Sequence, residues 1–220
     1  MTDTTGLQKE YSQKIQSAGA MSFIGSNNRN NFDEHSQTHF TYLIEQGLKP
    51  DHAFLDVGCG ACRTAQKIVP YLNANHYFGL DRMPELIEFG LNEIFDESTV
   101  LDKQPKFSVN SEFNVDFVGR KVDYIWCQSL MSHLDESDIK KCLNNLKNVC
   151  HENTKVYFTY FMNRGKDREQ ARENYKSDSK IDLQYDKKVM DDIVSEVGYT
   201  KIFNGTIGHP RGQWMYICKI

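Results

Sequence analysis

The fold is decided by the stretch Phe54-Leu55-Asp56-Val57-Gly58-Cys59-Gly60, in which an apolar run ends in a Gly-x-Gly turn. Residues 53–57 have the length and composition of a short buried strand. Glycine lets the backbone turn tightly and lets a ligand approach without a Cβ in the way. A helix is predicted near 62–72, and the first N–H groups of a helix lack partners within it. The stretch therefore predicts a strand, a ligand-binding turn and a helix.

Two residues distinguish this turn from the turn of a dinucleotide-binding domain. The third glycine of that fingerprint would fall at position 63, which is Arg63. Asp56 is an acid at the tip of an otherwise apolar strand, where a carboxylate is costly unless it meets a cation or several donors. A pyrophosphate would repel Asp56, whereas the ammonium group of a methionine moiety would pair with it. Hydrogen bonds from loop amides to Asp56 are the structural alternative.

A second acid, Asp81, ends the next predicted strand at 77–80. A carboxylate at this place can accept both ribose hydroxyls of an adenosine. Its distance from the first strand agrees with the spacing of about 20 residues expected for that role. NAD enzymes have an acid at the same place, so Asp81 predicts that the ligand contains an adenosine but does not distinguish NAD from other adenosine cofactors.

The remaining pattern alternates strands with helices and predicts a mostly parallel sheet covered by helices on both faces. Residues 1–50 are a helical cap, with a loop at 22–31 and a helix at 33–46 that Asp33 caps; 51–220 form the core of one domain. The last two strands are separated by only a short Gly/Pro-rich loop, so they should pair antiparallel. Further strands are predicted at 106–109, 122–127, 156–161, 199–204 and 214–219, further helices at 7–18, 84–94, 135–149 and 187–197, and a solvated helix or lid at 164–180.

The first strand and its turn, Asp81 and the run Asp123–Leu134 (DYIWCQSLMSHL) together resemble a class I S-adenosylmethionine-dependent methyltransferase. The resemblance covers most of residues 30–220. It implies an α/β fold: a Rossmann-like, doubly wound, seven-stranded sheet of order 3-2-1-4-5-7-6 with the last strand antiparallel. It also implies S-adenosyl-L-methionine as cofactor. NAD-type Rossmann domains lack the closing antiparallel hairpin.

The resemblance implies cofactor contacts at the carboxyl ends of the first four strands: Asp56, Gly58, Cys59, Gly60, Asp81, Arg82, Met83, Asn110, Ser111, Gln128 and Ser129. Asp56, Gly58 and Gly60 would hold the methionine end, and Asp81 would bind the ribose. Arg82 and Met83 would flank the adenine. Asn110 stands where the family usually has an aspartate on the adenine amino group, and Ser111 could share that contact. Gln128 and Ser129 would lie beside the methyl group.

Methyl transfer is an in-line displacement, for which the protein mainly aligns the two reactants and excludes water. A hydroxyl or ammonium acceptor must also lose a proton to a base. His133 is the first candidate base because it follows strand four at the carboxyl edge of the sheet. His209 is the second candidate. For both histidines, a structural or solvated role is the alternative.

No metal site is predicted. Cys59 and Cys62 have the CxxC spacing, but the sequence contains no second CxxC or CxxH pair to complete a zinc site. The six cysteines are therefore interpreted as buried, reduced thiols of a cytoplasmic protein. His35 and His39 are four residues apart on one predicted helix, but no nearby carboxylate cluster accompanies them.

Charge and composition favour a small-molecule acceptor. The net charge is −4, so no global field attracts nucleic acid or anionic lipid, and no apolar run is long enough to span a bilayer. The Asn/Asp-Pro-Pro-Tyr/Phe run of amino-methylating nucleic-acid enzymes is absent after strand four, as is the Pro-Cys pair of cytosine enzymes. A nucleic-acid or protein methyltransferase, an NAD-dependent oxidoreductase and a non-catalytic cofactor-binding protein remain as alternatives, and the oligomeric state is open.

Overall fold

The computed structural model describes residues 4–163, 183–207 and 211–220 of the 220-residue chain. The chain divides into two compact units, Met1–Ser111 and Glu112–Ile220. The predicted helix or lid at 164–180 and the candidate base His209 lie outside the described residues. Within the described ranges, no helix combines the length and the apolar character needed to cross a membrane.

Unit 1 contains three parallel strands in the order β3-β2-β1. Asp56 pairs in register with Gly79, and Asp81 pairs with Val109, so the carboxyl ends of the three strands meet at one edge. The elements are α1 (Thr4–Ala18), α2 (Ala20–Phe23), α3 (Arg29–Glu45), β1 (Phe54–Val57), α4 (Ala65–Tyr71), β2 (Tyr77–Asp81), α5 (Pro84–Phe89) with a π-helical turn (Gly90–Ile94), α6 (Glu97–Lys103) and β3 (Lys106–Val109).

Unit 2 contains strands in the order β4-β5-β8-β7, and a two-residue strand, β6, pairs with the end of β5. Strand β8 runs antiparallel to both β5 and β7, and β4 runs parallel to β5. The elements are β4 (Val122–Cys127), α7 (Glu136–Leu146), β5 (Cys150–Met162), β6 (Gln184–Tyr185), α8 (Lys187–Val197), β7 (Thr200–Thr206) and β8 (Trp214–Lys219), with 3₁₀ turns at Asp116–Val118, Met131–His133 and Lys147–Val149.

These strand orders confirm the predicted fold class. Each unit has the strand order expected for its half of a Rossmann-like sheet. The short strand β6 raises the numbers of the last two strands by one, and these two strands form the predicted antiparallel hairpin. The sequence pattern does not predict β6, because two residues are too short for a period of two to be recognised. It also does not predict α6, which Asp96 caps by accepting a hydrogen bond from Thr99 N.

The cap region differs from the prediction at its second and third helices. The predicted loop at 22–31 is shorter, because α2 extends to Phe23 and α3 begins at Arg29. Asn28 caps α3 by accepting a hydrogen bond from Asn31 N at 2.9 Å. Asp33 is therefore not the N-cap; it lies one turn inside the helix and pairs with Arg29 at 3.1 Å. Asparagine and aspartate are about equally good N-caps, so composition alone favours neither.

The helix after the Gly-x-Gly turn begins later than predicted. Residues 61–64 form a turn, with Cys62 at φ 61°, and α4 begins only at Ala65. The expected helix N-terminus therefore does not follow Gly60 directly. The strand predicted at 156–161 is longer in the structure, where β5 begins at Cys150.

The stability of α7 depends on an apolar stripe and on one capping side chain. Ile139, Cys142, Leu143 and Leu146 are fully buried. At the start of the helix, Asp135 Oδ1 accepts a hydrogen bond from Asp138 N at 2.9 Å. This bond satisfies one of the N–H groups that the helix itself leaves unpaired.

Replacing Asp135 by alanine is expected to lower the free energy of unfolding by about 1 kcal/mol, because α7 loses its cap. Urea denaturation measures the change. Asp186→Ala is the matched control, since Asp186 precedes α8 but its side chain makes no capping hydrogen bond. Equal losses in the two variants would contradict the assignment of the cap.

Candidate functional site

The Gly-x-Gly turn in unit 1 has a backbone that suits only small residues. Gly58 has φ 75° and Gly60 has φ 54°, in the left-handed region that favours glycine. The turn is held against the end of β2, because Gly58 N and Cys59 N both donate to the Leu80 carbonyl, at 2.7 and 3.1 Å. The turn is thus fixed at the edge where β1 and β2 end.

Asp81 holds this edge together. Its Oδ2 accepts a hydrogen bond from Gly60 N at 2.8 Å, and its Oδ1 accepts one from Met83 N at 2.9 Å. Burial raises the pKa of Asp81, although the hydrogen bonds from Met83 and Gly60 act in the opposite direction. Each carboxylate oxygen has two acceptor positions, so these bonds leave capacity for ligand hydroxyls.

Asp56 is the second buried acid of this edge, with only 2% of its surface exposed. Its pKa is raised to about 7, mainly by burial and also by the charge of Asp81, against the lowering effect of the hydrogen bond from Tyr77 and the charge of Arg63. The Tyr77 hydroxyl donates to Asp56 Oδ2 at 2.9 Å. In the structure the loop amides bind Asp81, while a tyrosine binds Asp56. Two buried carboxylates side by side favour a cationic ligand and disfavour a pyrophosphate.

The predicted adenine neighbours are gathered near Asp81. Asn110 N donates to the Asp81 carbonyl at 3.1 Å, and Asn110 Nδ2 donates to Ser108 Oγ at 3.2 Å. Met83 is buried in a hydrophobic cluster with cap residues that include Ile15 and Phe32. The next predicted contact, Ser111, is exposed.

Arg82 and Cys59 are both engaged within unit 1. The Arg82 guanidinium lies 5.7 Å from the ring centroid of Tyr11, a cation–π distance. A hydrogen bond with Cys62 and burial raise the pKa of the Cys59 thiol well above its ordinary value. Cys59 is therefore a neutral thiol, and all six cysteines are free and buried.

The N-terminal cap packs directly on the turn and on the loop after β2. A Cβ placed at Gly60 would lie 3.4 Å from Ile24 Cγ2. Ser12 Oγ donates to Glu85 at 2.6 Å, and Gln8 Nε2 donates to the Arg82 carbonyl at 3.4 Å. The cap therefore contacts both the Gly-x-Gly turn and the segment after β2.

Arg63 is a candidate ligand residue that the sequence pattern does not identify. Its side chain is 8% exposed, and its Nη1 donates to Ser26 Oγ at 3.1 Å and to the Ile24 carbonyl at 3.3 Å. His35 Nδ1 lies 3.5 Å from the same nitrogen. The sequence signal was present: a long cation at the third-glycine position has to be accommodated close to the turn.

His39 and His35 both contact side chains that follow the Gly-x-Gly turn. His39 Nδ1 lies 2.9 Å from Thr64 Oγ1, and His35 lies beside Arg63. Among the described residues, no group of three or more His, Cys, Asp or Glu side chains could hold a metal ion.

In unit 2, Gln128 and Ser129 belong to a cluster of polar side chains near the carboxyl ends of β4 and β5. Ser129 has φ 57°, and its backbone N–H donates to Thr159 Oγ1 at 2.7 Å. Ser129 Oγ and Gln128 Nε2 both donate to Gln213 Oε1, at 2.9 and 3.1 Å. Thr159 and Gln213 are not predicted from the sequence, because they lie within and before strands, far from Ser129 along the chain.

His133 ends a 3₁₀ turn, Met131–His133, a few residues after Ser129, and is half-buried. The turn is held by Ser132 Oγ, which donates to the Ser129 carbonyl at 3.0 Å, and by Leu183 N, which donates to the Ser132 carbonyl at 2.6 Å. His133 is therefore positioned by the same loop that carries Gln128 and Ser129.

Solved structures similar to this chain include two methyltransferases and a pyocyanin biosynthetic protein. Magnesium protoporphyrin IX methyltransferase (ChlM) from Synechocystis PCC 6803, with bound SAM, shows 14% identity and a TM-score of 0.69, covering 100% of this chain and 99% of that one. An S-adenosylmethionine-dependent methyltransferase from Clostridium acetobutylicum ATCC 824 shows 12% identity and a TM-score of 0.66, and the match covers 96% of this chain and 98% of that one. The pyocyanin biosynthetic protein PhzM shows 13% identity and a TM-score of 0.67, and the match covers 95% of this chain and 61% of that one. These likenesses establish the fold as that of class I methyltransferases.

Residues 55–156 match the family model of a methyltransferase domain. This match and the shared fold agree with the resemblance of the sequence to class I S-adenosylmethionine-dependent methyltransferases. The chemistry of unit 1 fits this cofactor, since a buried pair of carboxylates and a Cβ-free turn suit a cationic amino-acid tail joined to an adenosine.

Replacing Tyr77 by phenylalanine is expected to raise the pKa of Asp56 above about 7, because the hydroxyl that stabilises the ionised carboxylate is lost. A ¹³C NMR titration of the Asp56 carboxyl carbon measures the pKa. Tyr71→Phe is the control, since the Tyr71 hydroxyl donates to the Leu48 carbonyl instead. An Asp56 pKa that stays constant or falls in Tyr77→Phe would show that this hydrogen bond has no such effect.

Proposed function

We propose that this enzyme transfers the methyl group of S-adenosylmethionine to a small-molecule acceptor. The observation that carries the cofactor part is the buried pair Asp56 and Asp81 at the ends of β1 and β2. The acceptor part is supported by the net charge of −4 and by the fold shared with a porphyrin methyltransferase and a pyocyanin biosynthetic protein. The six buried free thiols suit a cytoplasmic location.

Each residue of the unit 1 edge then has a role toward the cofactor. Ionised Asp56 pairs with the ammonium group, and the planar guanidinium of Arg63 suits the carboxylate of the same amino-acid tail. Asp81 accepts the ribose hydroxyls with the acceptor positions that Gly60 and Met83 do not use. When bound, the cofactor supplies a methyl group activated by the positive charge on sulfur. The remaining roles, namely orientation and exclusion of water, belong to the protein.

Proton removal is assigned to His133. Imidazole has an ordinary pKa near neutrality and can accept a proton from a hydroxyl or ammonium group of the acceptor. The 3₁₀ turn fixes its backbone immediately after the loop that follows β4. His209, the second candidate from the sequence, lies outside the described residues.

Isothermal titration with S-adenosylhomocysteine and, separately, with NAD distinguishes this function from an oxidoreductase. Binding of S-adenosylhomocysteine without measurable binding of NAD is expected, because two buried carboxylates repel a pyrophosphate. The opposite preference would overturn the proposed function.

Replacing Asp81 by alanine is expected to weaken S-adenosylhomocysteine binding at least about a hundredfold, since the ribose and the Gly60 amide both lose their acceptor. Calorimetry measures the affinity, and a thermal melt verifies that the variant is folded. Asp102→Ala, which removes an exposed acid of α6, is the control. An unchanged affinity in Asp81→Ala would remove the ribose assignment.

Replacing His133 by alanine is expected to leave S-adenosylhomocysteine affinity unchanged and to lower turnover by about 10²–10⁴-fold. Turnover is followed as formation of S-adenosylhomocysteine with an acceptor found by screening, across the pH range where imidazole titrates. His76→Ala, which removes a half-buried histidine of unit 1, is the control. A pH–rate profile that is the same in wild type and His133→Ala would exclude His133 as the base.

A further inference from the structure

The polar cluster of unit 2 contains a carboxamide whose two ends are unequally satisfied. Gln213 Oε1 accepts hydrogen bonds from Thr159 Oγ1 at 2.8 Å, Ser129 Oγ at 2.9 Å and Gln128 Nε2 at 3.1 Å. A carbonyl oxygen has two lone pairs, so three donors exceed its capacity. One of these donors, therefore, is available to another acceptor.

The other end of the same carboxamide has no acceptor. Gln213 is fully buried, and its Nε2 makes no hydrogen bond to any described residue. Exchanging the amide nitrogen and oxygen of Gln213 alone would set its Nε2 against Gln128 Nε2, donor against donor, and would still leave one buried end of the carboxamide without a partner. A buried donor without an acceptor costs free energy, and such groups in native proteins call for an explanation.

The cluster lies where a ligand is expected and is strained in a way that ligand sites often are. Gln213 immediately precedes β8, whose first residue, Trp214, pairs with Tyr160 near the end of β5. Open α/β sheets bind ligands beyond the carboxyl ends of their parallel strands. Ser129 is held in the left-handed region by its bond to Thr159, and backbone strain of this kind clusters at functional sites. Gln128 and Ser129 are only half-buried, so the cluster reaches the surface on their side.

The charge around the cluster selects the kind of ligand atom. The four side chains are neutral, and they present surplus hydrogen-bond donors. Two residues before Gln213, the Arg211 guanidinium lies 5.3 Å from the ring centroid of Phe161, at the end of β5. Surplus donors suit an oxygen that carries partial or full negative charge.

We propose that Gln213 recognises the methyl acceptor: its Nε2 donates a hydrogen bond to a carboxylate or carbonyl oxygen of that molecule, with Ser129 Oγ as the second donor. The inference rests on the proposed function, because it assigns the oxygen to the acceptor of methyl transfer. It makes the acceptor a molecule bearing a carboxylate or a carboxamide-like carbonyl.

The test uses acetate, which carries a carboxylate, and acetamide, which carries a carboxamide carbonyl. Both probes are small and similar in shape, so a difference in binding does not reflect a difference in size. The full-length protein is labelled with ¹⁵N-glutamine, and the Gln213 side-chain amide signal is identified by its loss in Gln213→Glu. Titration with either probe is expected to shift this signal saturably, and well beyond the shift of the exposed Gln104 amide. A Gln213 signal that moves no more than the Gln104 signal with both probes would overturn the proposal. A response to acetate alone assigns a carboxylate, and a response to both assigns a carbonyl oxygen in general.

Variants supply the second measurement. Gln213→Glu is expected to weaken acetate binding at least about tenfold, because the donor is replaced by a like charge. Gln104→Glu makes the same change at an exposed glutamine and is expected to leave the affinity for acetate unchanged. Equal affinities in Gln213→Glu and wild type would contradict the proposal. S-adenosylhomocysteine binding is measured on the same samples: its absence from the wild type defeats the proposed function, whereas its presence without a Gln213 response defeats only this inference.

Discussion

The hydrogen bonds from Gly60 N and Met83 N to the Asp81 carboxylate are the constraint on which unit 1 depends. Through them one side chain joins the turn after β1 to the loop after β2. The same turn is held from the other side by the Leu80 carbonyl. Positive φ values at Gly58 and Gly60 are tolerated because these bonds, made by the neighbouring strand, fix the backbone in that conformation.

The buried acids have a cost that a cationic ligand would offset. Asp56 has a folded-state pKa of about 7, above the ordinary aspartate value of about 3.9. The folded state therefore binds more protons than the unfolded state between these values, and the contribution of Asp56 to stability falls as pH rises from about 4 to about 7. A positive group beside Asp56 stabilises its ionised form and restores this loss. A binding site that is destabilised while empty is a common compromise between stability and function.

The sequence predicts those parts of the fold and candidate site that depend on local pattern. The strand-to-glycine turn, Asp81 and the closing hairpin follow from apolar runs, glycine spacing and the shortness of the last connection. The predicted start of α3 is wrong because asparagine and aspartate, which stand at positions 28 and 33, cap helices about equally well. The contacts of Arg63 and Gln213 could not be predicted, because their partners Ser26 and Thr159 lie far away along the chain and are brought close only by folding.

The central claim is that ionised Asp56 meets the ammonium group of the cofactor. Titration calorimetry of S-adenosylhomocysteine near pH 7, in two buffers of different ionisation enthalpy, measures the protons exchanged on binding. The account predicts release of about half a proton per molecule bound, since Asp56 is about half protonated at its pKa, and no such release in Asp56→Asn. Proton uptake, or the same release in Asp56→Asn, would contradict it.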